Sequence, residues 1–485
     1  MSDPVAFATS AALAWDLWIG EMSGPAAIAA RQRSRLEALV GFAQRHSRFY
    51  KELYADLPAG GWSLGQLPAT TKQALMARFD DVVTDPEVSK AAVEAFVADP
   101  RLIGRPLGGR FTAWQTSGTS GVPGIFVHDR PALAVYDALL WARAWPRFVS
   151  SWAAGAGPAV MAPAALIAAD QGHYAAISTW RRLERTYPWL CANSRILSAL
   201  SPLPDLVAAL NDITPAVLMA YPSILVLLAR ERSAGRLRIR PWLLVGGGER
   251  LAPGERTLIE GAFGCAVRDV YACSEADCIA FGCSEGWLHV NADWVVLEPV
   301  DAAFKPVPPG TPSHTTLVTN LANRVQPIIR YDVGDGITVH PDRCPCGSRL
   351  PAIRVEGRAD DILYLRSAQG RIVAITPLAI ASVLEQVRSL HGFQLIQTGP
   401  ATLTVRLEAE PGVDRGAVWR AVRDRLSSYL GAQGLADVAL VKAKQAPAIH
   451  PRSGKFRQIA IDASVAGIAA AAAAAASRPG ADATI

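Results

Sequence analysis

The residues of this chain best suited to chemistry open with Thr116-Ser117-Gly118-Thr119-Ser120-Gly121, followed by Val122-Pro123-Gly124. A run of small residues, hydroxyls and glycines together, lets backbone N–H groups approach an anion without Cβ interference while the hydroxyls donate as well. Such a loop is a phosphate cradle. The same composition suits an ordinary solvated turn, and the two commonest phosphate loops, GxxxxGK[ST] and GxGxxG, do not occur in the chain. Motifs further along decide between the two.

Tyr271-Ala272-Cys273-Ser274-Glu275 closes an apolar run. A tyrosine and an acid at this spacing could set an aromatic face against a base and a carboxylate on a phosphate-bound Mg²⁺, although a tyrosine at a strand end is as often packing. Arg330-Tyr331-Asp332-Val333-Gly334-Asp335 ends in a Gly-Asp turn. Pro451-Arg452-Ser453-Gly454-Lys455 holds a lysine on a Ser-Gly turn, from which it can reach a transferring phosphate as a mobile point charge, where arginine would demand forked geometry. On a surface the same turn is merely solvated. Cys283 and His289 precede Cys344-Pro345-Cys346. Three thiolates and an imidazole make a closed tetrahedral Zn²⁺ shell of the structural kind, with no open position for water. Cys278 is a substitute ligand. His289-Val290-Asn291-Ala292-Asp293 also fits the HxxxD pattern of CoA-dependent acyltransferases, a role that zinc ligation by His289 would exclude.

In this order the motifs resemble the adenylate-forming enzymes (acyl-CoA synthetases, nonribosomal peptide synthetase adenylation domains and luciferases), and among them the phenylacetate-CoA ligase group. TSGTSGVP is similar to the family's TSGTTGxP loop, Leu67-Pro68-Ala69-Thr70-Thr71-Lys72 to an LPxTTK entry segment, YACSE to YGxSE, RYDVGD to YxxGD, and Gly357-Arg358-Ala359-Asp360-Asp361 to a GRxD hinge. The resemblance runs from about residue 67 to about residue 459. It implies that Thr116, Ser117, Gly118, Thr119, Ser120 and Gly121 hold phosphate, with Gly248 and Glu249 also at the nucleotide. Tyr271 would stack on adenine with Asp269 near its amino group, Ser274 would lie near the α-phosphate, and Glu275 would hold Mg²⁺. Asp335 would accept both ribose hydroxyls and Arg358 would touch ribose or phosphate. Asp360 would be the hinge of a small lobe that delivers the catalytic Lys455. Some phenylacetate-CoA ligase-like proteins resemble the Cys283, His289, Cys344, Cys346 arrangement, which would clip the loops after Glu275 and Asp335 together. Two positions depart from the broad pattern. Ala272 replaces a glycine, and Gly124 stands where many members carry lysine, a lysine that the phenylacetate-CoA ligase group also lacks.

The elements that must position these residues follow from hydrophobic spacing. The first sixty residues read as helix, with Leu36, Leu39, Val40 and Ala43 on one face and Arg31, Arg33, Arg35 and Glu37 toward water. Asp129 and Pro131 open another helix, with Leu133, Tyr136, Leu140 and Ala144 on one stripe. Apolar runs at Val217–Met219, Leu243–Val245 and Ala266–Ala272 alternate with helical patterns, the sequence form of a mostly parallel sheet covered by helices. Ligands gather beyond the carboxyl ends of such strands. Tyr136, Ala220, Tyr221, Gly246 and Gly247 are therefore the expected lining of an acid pocket. From Ile362 onward a hairpin, a helix, two strands, another helix and a last strand suggest a small α+β unit. The expected class is α/β, a large N-terminal adenylate-forming domain (1–359) of mixed sheets covered by helices and a mobile C-terminal α+β domain (360–462), followed by an Ala-rich tail (463–485).

Composition narrows the partners. The chain has 485 residues, half of them hydrophobic and 19% charged, with a formal charge of +5, which is globular and gives no footprint of nucleic-acid binding. Its longest apolar stretches are too short to span a bilayer, and seven cysteines without a signal peptide suit reduced thiols or a metal in the cytoplasm. The expected ligands are ATP, Mg²⁺, a small carboxylic acid of aryl or arylacetic type, CoA or a phosphopantetheine arm, and structural Zn²⁺. A homodimer is compatible with this. Alternatives are loading of a carrier protein, formation of an amide, and a non-catalytic nucleotide-binding protein on the same fold.

Overall fold

In the computed structural model, which describes residues 4–58, 60–116, 124–144, 162–189, 191–356, 362–410, 412–448, 458–462 and 464–465, the chain starts with helices Pro4–Met22, Pro25–His46 and Arg48–Leu53. The second has proline in its first turn, where a missing N–H costs nothing, and buries Ile28, Leu36, Leu39, Val40 and Ala43. Two of its arginines do not face water freely. Arg31 pairs with Asp16 at 2.7 Å, and Arg35 lies 3.6 Å above the Trp294 ring while its guanidinium donates to the Asp293 carbonyl. Several expected site residues lie outside the described residues: Ser117, Gly118, Thr119, Ser120, Gly121, Arg358, Asp360 and Lys455, together with most of the Ala-rich tail.

Strands β1 (Thr112–Gln115) and β2 (Ile125–His128) form an antiparallel hairpin across the phosphate-loop segment. Asp129 then caps the helix Arg130–Leu139, accepting the Ala132 N–H at 2.8 Å, and a π-helical turn follows over Leu140–Ala144. The main sheet begins with β3 (Ala164–Ala168), β4 (Ser194–Ser198), β5 (Val217–Ala220), β6 (Leu243–Gly247) and β7 (Val267–Cys273), all parallel to their neighbours. β8 (Ala276–Gly282) and β9 (Leu288–Val290) continue it antiparallel. β10 (Val295–Val300), β11 (Thr315–Asn320) and β12 (Ile328–Asp332) form a separate antiparallel sheet. β13 (Ile337–Val339) and β14 (Ala352–Val355) return to the main sheet, whose order is β13-β14-β9-β8-β7-β6-β5-β3-β4. The parallel half is apolar because helices cover it, and the helix Pro222–Ser233 is buried from Pro222 to Ala229.

From Leu363 a separate hydrophobic core begins. β15 (Leu363–Arg366) and β16 (Ile372–Ile375) form a hairpin, and β17 (Leu390–Gly399) and β18 (Thr402–Ala409) a long antiparallel pair. β19 (Ala439–Lys442) and β20 (Ile459–Ile461) flank that pair in parallel, so two short edge strands stand where one last strand was expected. Helices Pro377–Glu385 and Arg415–Ala432 pack on this sheet around Leu395, Val405, Val422 and Leu426. The architecture is mixed α/β with a second, α+β core at the C-terminal end. Among the described residues no helix is long and apolar enough to cross a membrane.

Candidate active site

Where β5, β6 and β7 end, the chain leaves a cleft of about 1760 Å³, bounded on its far side by the C-terminal α+β unit. Single small-molecule pockets commonly measure about 300–1,000 Å³, so this space admits more than one ligand at a time. Thr116, Tyr136, Ala220, Tyr221, Gly247, Gly248, Glu249, Asp269, Tyr271, Ser274, Glu275 and Asp335 all line it. Tyr136 comes from the helix Arg130–Leu139, and the others from β7 and its turn and from the ends of β1, β5, β6 and β12.

The phosphate-loop segment is closed at its base. Thr116 donates its N–H to the Gly124 carbonyl at 2.8 Å and accepts the Gly124 N–H on its hydroxyl, also at 2.8 Å. Gly124 is required by space: a Cβ there would lie 2.6 Å from the Phe126 ring, and Phe126 is itself core. The position where many adenylate-forming enzymes carry lysine therefore has no room for a side chain in this chain.

β7 and β8 turn back on each other at Ser274 and Glu275, which places both residues at the mouth of the sheet. The Tyr331 hydroxyl donates to Glu275 Oε1 at 2.6 Å, and the Tyr271 hydroxyl donates to Asp335 Oδ2 at 3.1 Å. The Ser274 hydroxyl donates to the Gln115 carbonyl at 3.3 Å. A buried chain supports the turn from behind. His128 Nε2 lies 3.0 Å from the Ser274 carbonyl, His128 Nδ1 lies 3.1 Å from the Tyr136 hydroxyl, and Asn320 Nδ2 donates to that hydroxyl at 2.7 Å and to the Glu275 carbonyl at 3.1 Å. A carbonyl only accepts, so Nε2 carries the imidazole proton and Nδ1 accepts from Tyr136. Burial pushes His128 down to about 3, which keeps the ring neutral and the chain of donors fixed. Tyr136 thus borders the cleft, but its hydroxyl is committed to holding the Ser274–Glu275 backbone. Tyr331, His128 and Asn320 escape sequence reasoning, although Tyr331 lies inside the RYDVGD segment.

Of the expected acid-pocket residues, Ala220, Tyr221 and Gly247 line the cleft at the ends of β5 and β6 and Tyr136 reaches it from the helix Arg130–Leu139, whereas Gly246 is not part of the lining. The Tyr221 hydroxyl accepts the Ala169 N–H at 2.9 Å, and Gly246 pairs with Asp269 across β6 and β7. A Cβ on Gly246 would lie 3.9 Å from Asp269 Oδ1, an ordinary contact. Burial pushes Asp269 up to about 7 against the nearby Arg256. Gly248 has φ +82°, the left-handed region that favours glycine, and it turns Glu249 sideways. Glu249 Oε2 accepts the Ser223 N–H at 2.9 Å and Oε1 accepts the Leu378 N–H at 3.4 Å. Its carboxylate thus sits between the N-termini of two helices, Pro222–Ser233 and Pro377–Glu385, one from each core, where positive helix ends favour an anion. Burial nevertheless pushes it up to about 7.

The Cys/His set also comes together. One ligand atom from each of Cys283, His289, Cys344 and Cys346 falls within 4.8 Å of all the others. The Cys283 and Cys344 sulfurs are 3.7 Å apart, close to the edge of about 3.8 Å that Zn–S bonds of 2.3 Å give in a regular tetrahedron. His289 Nδ1 faces the Leu350 carbonyl at 3.1 Å, which assigns the proton to Nδ1 and leaves Nε2, 3.1 Å from the Cys346 sulfur, free to ligate. Burial acts to raise the Cys283 thiol, but His289 and the backbone N–H groups of Trp287 and Glu285 outweigh it and bring the thiol down. The donor set therefore fits a structural dication. One sequence expectation is corrected here. Cys278 stands apart from the cluster, buried with its thiol toward the Tyr136 carbonyl at 3.8 Å, so it is no substitute ligand. Asp293 of the HxxxD pattern is bound by Arg143 at 2.9 Å, while His289 belongs to the Cys/His set.

No family model and no curated protein matches this chain. Solved structures do. It is similar to a 2-hydroxyisobutyryl-CoA ligase in complex with 2-HIB-AMP and CoA in the thioesterification state, at a TM-score of 0.54 and 23% identity over 89% of each chain. The same ligase in the postadenylation state with R3-HIB-AMP gives 0.50 and 22% identity over 92% of this chain and 91% of that one. These likenesses show a shared fold over nearly the whole of both chains.

Proposed function

We infer that the chain activates a small carboxylic acid with ATP and passes the acyl group to a thiol. In the first half-reaction an acid oxygen attacks the α-phosphorus, the bond to pyrophosphate breaks, and an acyl-adenylate remains. In the second, a thiol attacks the acyl carbon and AMP leaves. The observation that supports this reading is the convergence of Thr116, Tyr271, Ser274, Glu275 and Asp335 on one cleft, from segments spread over more than two hundred residues.

In this reading Tyr271 presents its ring to adenine and Asp335 binds the ribose hydroxyls, with Asp269, Gly248 and Glu249 beside the base. Thr116 and the loop Ser117–Gly121 receive the phosphates, Ser274 lies near the α-phosphate, and Glu275 holds the Mg²⁺ that accompanies ATP. Arg358 touches ribose or phosphate, Lys455 adds a positive charge to the crowded phosphate, and rotation of the unit 360–462 about Asp360 withdraws it for the second half-reaction. Residues 1–359 would then form the acid- and ATP-binding domain, and 463–485 a tail without assigned role. A Zn²⁺ on Cys283, His289, Cys344 and Cys346 would supply structural cross-linking only, and its reduced thiols suit the cytoplasm. The 2-hydroxyisobutyryl-CoA ligase of similar fold, bound to 2-HIB-AMP and CoA, supports CoA as the thiol. The phenylacetate-CoA ligase-like motifs support an aryl or arylacetic acid, with Tyr136, Ala220, Tyr221 and Gly247 around it. A carrier protein or an amine is the competing acceptor.

Pyrophosphate release measured with a panel of acids, with and without CoA, tests this. Acid-dependent release with an acyl-CoA product is expected. Release without acyl-CoA would move the acceptor to a carrier protein or an amine, and no release with any acid would leave a non-catalytic nucleotide-binding protein.

A further inference from the structure

The segment Leu67-Pro68-Ala69-Thr70-Thr71-Lys72 has no task in the chemistry above. It leads into the short helix Lys72–Ala77, and Thr71, Lys72 and Gln73 all line the cleft. Two anchors fix it there. Thr70, 2% exposed, donates its N–H to the Arg330 carbonyl at 2.8 Å and accepts the Asp332 N–H at 2.9 Å, so it lies alongside Tyr331 like a residue of an added strand. The Arg330 guanidinium forks onto Glu298 at 2.9–3.2 Å and donates to the Leu67 carbonyl, which ties down the start of the same segment. Further along the helix, the Met76 sulfur accepts the Ile125 N–H at 3.4 Å, next to Gly124. Lys72 is thereby held between the base of the phosphate loop and the strand of Tyr331, whose hydroxyl donates to Glu275.

The loop itself brings no cation. From Thr116 to Gly124 every residue is uncharged, and Gly124 has no room for a side chain. The lining on the Tyr331 side is acidic, with Glu275, Asp332 and Asp335. A polyphosphate placed against these carboxylates is repelled unless positive charge faces it. Among the described residues, the lysine and arginine side chains of the lining are Lys72, Arg230, Arg250 and Arg354. Arg230 donates to the Tyr364 hydroxyl, Arg354 lies 4.0 Å above the Trp287 ring, and Arg250 follows Glu249 at the end of β6, where the reading above puts the adenine. Of the four, Lys72 is the one anchored beside the loop. Its ammonium, on a flexible stem, is a point charge that can follow a phosphate chain as a bond in it breaks.

The geometry points to Lys72 as a ligand of the β- and γ-phosphates of ATP. This rests on the acid-activation reading above and adds a catalytic residue to it. As the acid oxygen bonds to the α-phosphorus, the bond from that phosphorus to the bridging oxygen breaks, and its electron pair stays on the departing pyrophosphate. The Lys72 ammonium faces that growing charge and transfers no proton. AMP and the acyl-adenylate lack these phosphates and do not engage it.

Calorimetric binding of Mg²⁺-ATP and of AMP to the full chain, wild type against Lys72→Met, tests this. The ATP Kd is expected to rise roughly tenfold or more while the AMP Kd stays within about twofold, and Lys72→Arg, which returns the charge, is expected to recover most of the ATP affinity. ATP–pyrophosphate exchange by Lys72→Met should fall roughly 10²-fold, with thioester formation from supplied acyl-adenylate close to wild type. ATP affinity within about twofold of wild type overturns the inference. Equal weakening of ATP and AMP, or equal loss of both half-reactions, also overturns it, because a merely structural lysine would behave in that way. Absence of exchange by the wild type with every acid removes the acid-activation reading, while the ATP–AMP comparison still decides Lys72. A wild-type chain that binds no ATP overturns both.

Discussion

Tyr331→Phe isolates one oxygen atom behind the candidate magnesium ligand. The Tyr331 hydroxyl donates to Glu275 Oε1 at 2.6 Å, a length typical of a charge-assisted bond, and the two residues are 1% and 5% exposed. A hydrogen bond to a charged group contributes about 1.5–3 kcal/mol. At about 1.4 kcal/mol per tenfold, its loss corresponds to roughly 10- to 10²-fold in rate if the bond orients Glu275 in the transition state. The ring itself stays, packed edge-on against Phe126 with centroids 6.2 Å apart, so the fold should survive. ATP–pyrophosphate exchange should therefore fall by that factor. Excess Mg²⁺ should not restore it, because a carboxylate relieved of its donor binds cations at least as well and has lost only its orientation. Glu275→Gln, which keeps an acceptor but removes the charge, should lose roughly 10²- to 10³-fold. Exchange within about twofold of wild type in Tyr331→Phe, or full rescue by Mg²⁺, would show that Glu275 is not held in place for catalysis by this hydroxyl.

Four other outcomes follow from the same structure. Lys455→Ala should abolish adenylation while thioester formation from supplied acyl-adenylate survives; equal loss of both half-reactions, measured separately, would contradict its assigned role. Purified protein should contain close to one zinc per chain by elemental analysis, and Cys346→Ser should lose the metal and lower Tm, since a structural site contributes folding energy directly. Glu249 has its native pKa raised from 4.5 to about 7, so its contribution to stability is fully present below pH 4.5 and lost as pH rises through 7. Against Glu249→Gln, wild-type stability should fall by up to about 3 kcal/mol over that window, read as the difference between two Tm-versus-pH curves, and parallel curves would refute it. Gly124→Lys should destabilise by about 1–3 kcal/mol in urea unfolding, because its Cβ must displace the buried Phe126 ring; unchanged stability would show that the loop base yields freely.

Of the parallel half of the sheet, β3 and β4 went unread, but β5 and β6 were legible because they are apolar runs closed by special residues, and a strand buried on both faces has little choice of side chain. The antiparallel half was not. β9 has only three residues, and the pairing of β8 with β7 shifts register near Cys278, whose φ of 58° breaks the alternation that would announce a strand. The Cys/His set was legible for a different reason: so few side chains ligate zinc that residue type and spacing already restrict the chemistry, and Cys278 was separable only in three dimensions. Motifs of the cleft face inward and could be named, but what holds them could not. His128 supports Ser274 from 146 residues away, and Asn320 supports Tyr136 from 184.

Glu249 carries this furthest. Its place after three glycines at a strand end marked it for the nucleotide, yet its oxygens go to the N–H of Ser223 and to that of Leu378, 129 residues on. A glycine-rich turn announces that the backbone must bend, not where the following side chain will find its donors. That depends on how the C-terminal unit docks, which no local pattern encodes. The same carboxylate that lines the cleft thus bridges the two cores. Any motion of the C-terminal unit during a catalytic cycle must break its bond to Leu378 and leave Glu249 with one helix N-terminus instead of two, so this side chain is sensitive to the arrangement of the lobes in a way that a plain nucleotide ligand would not be.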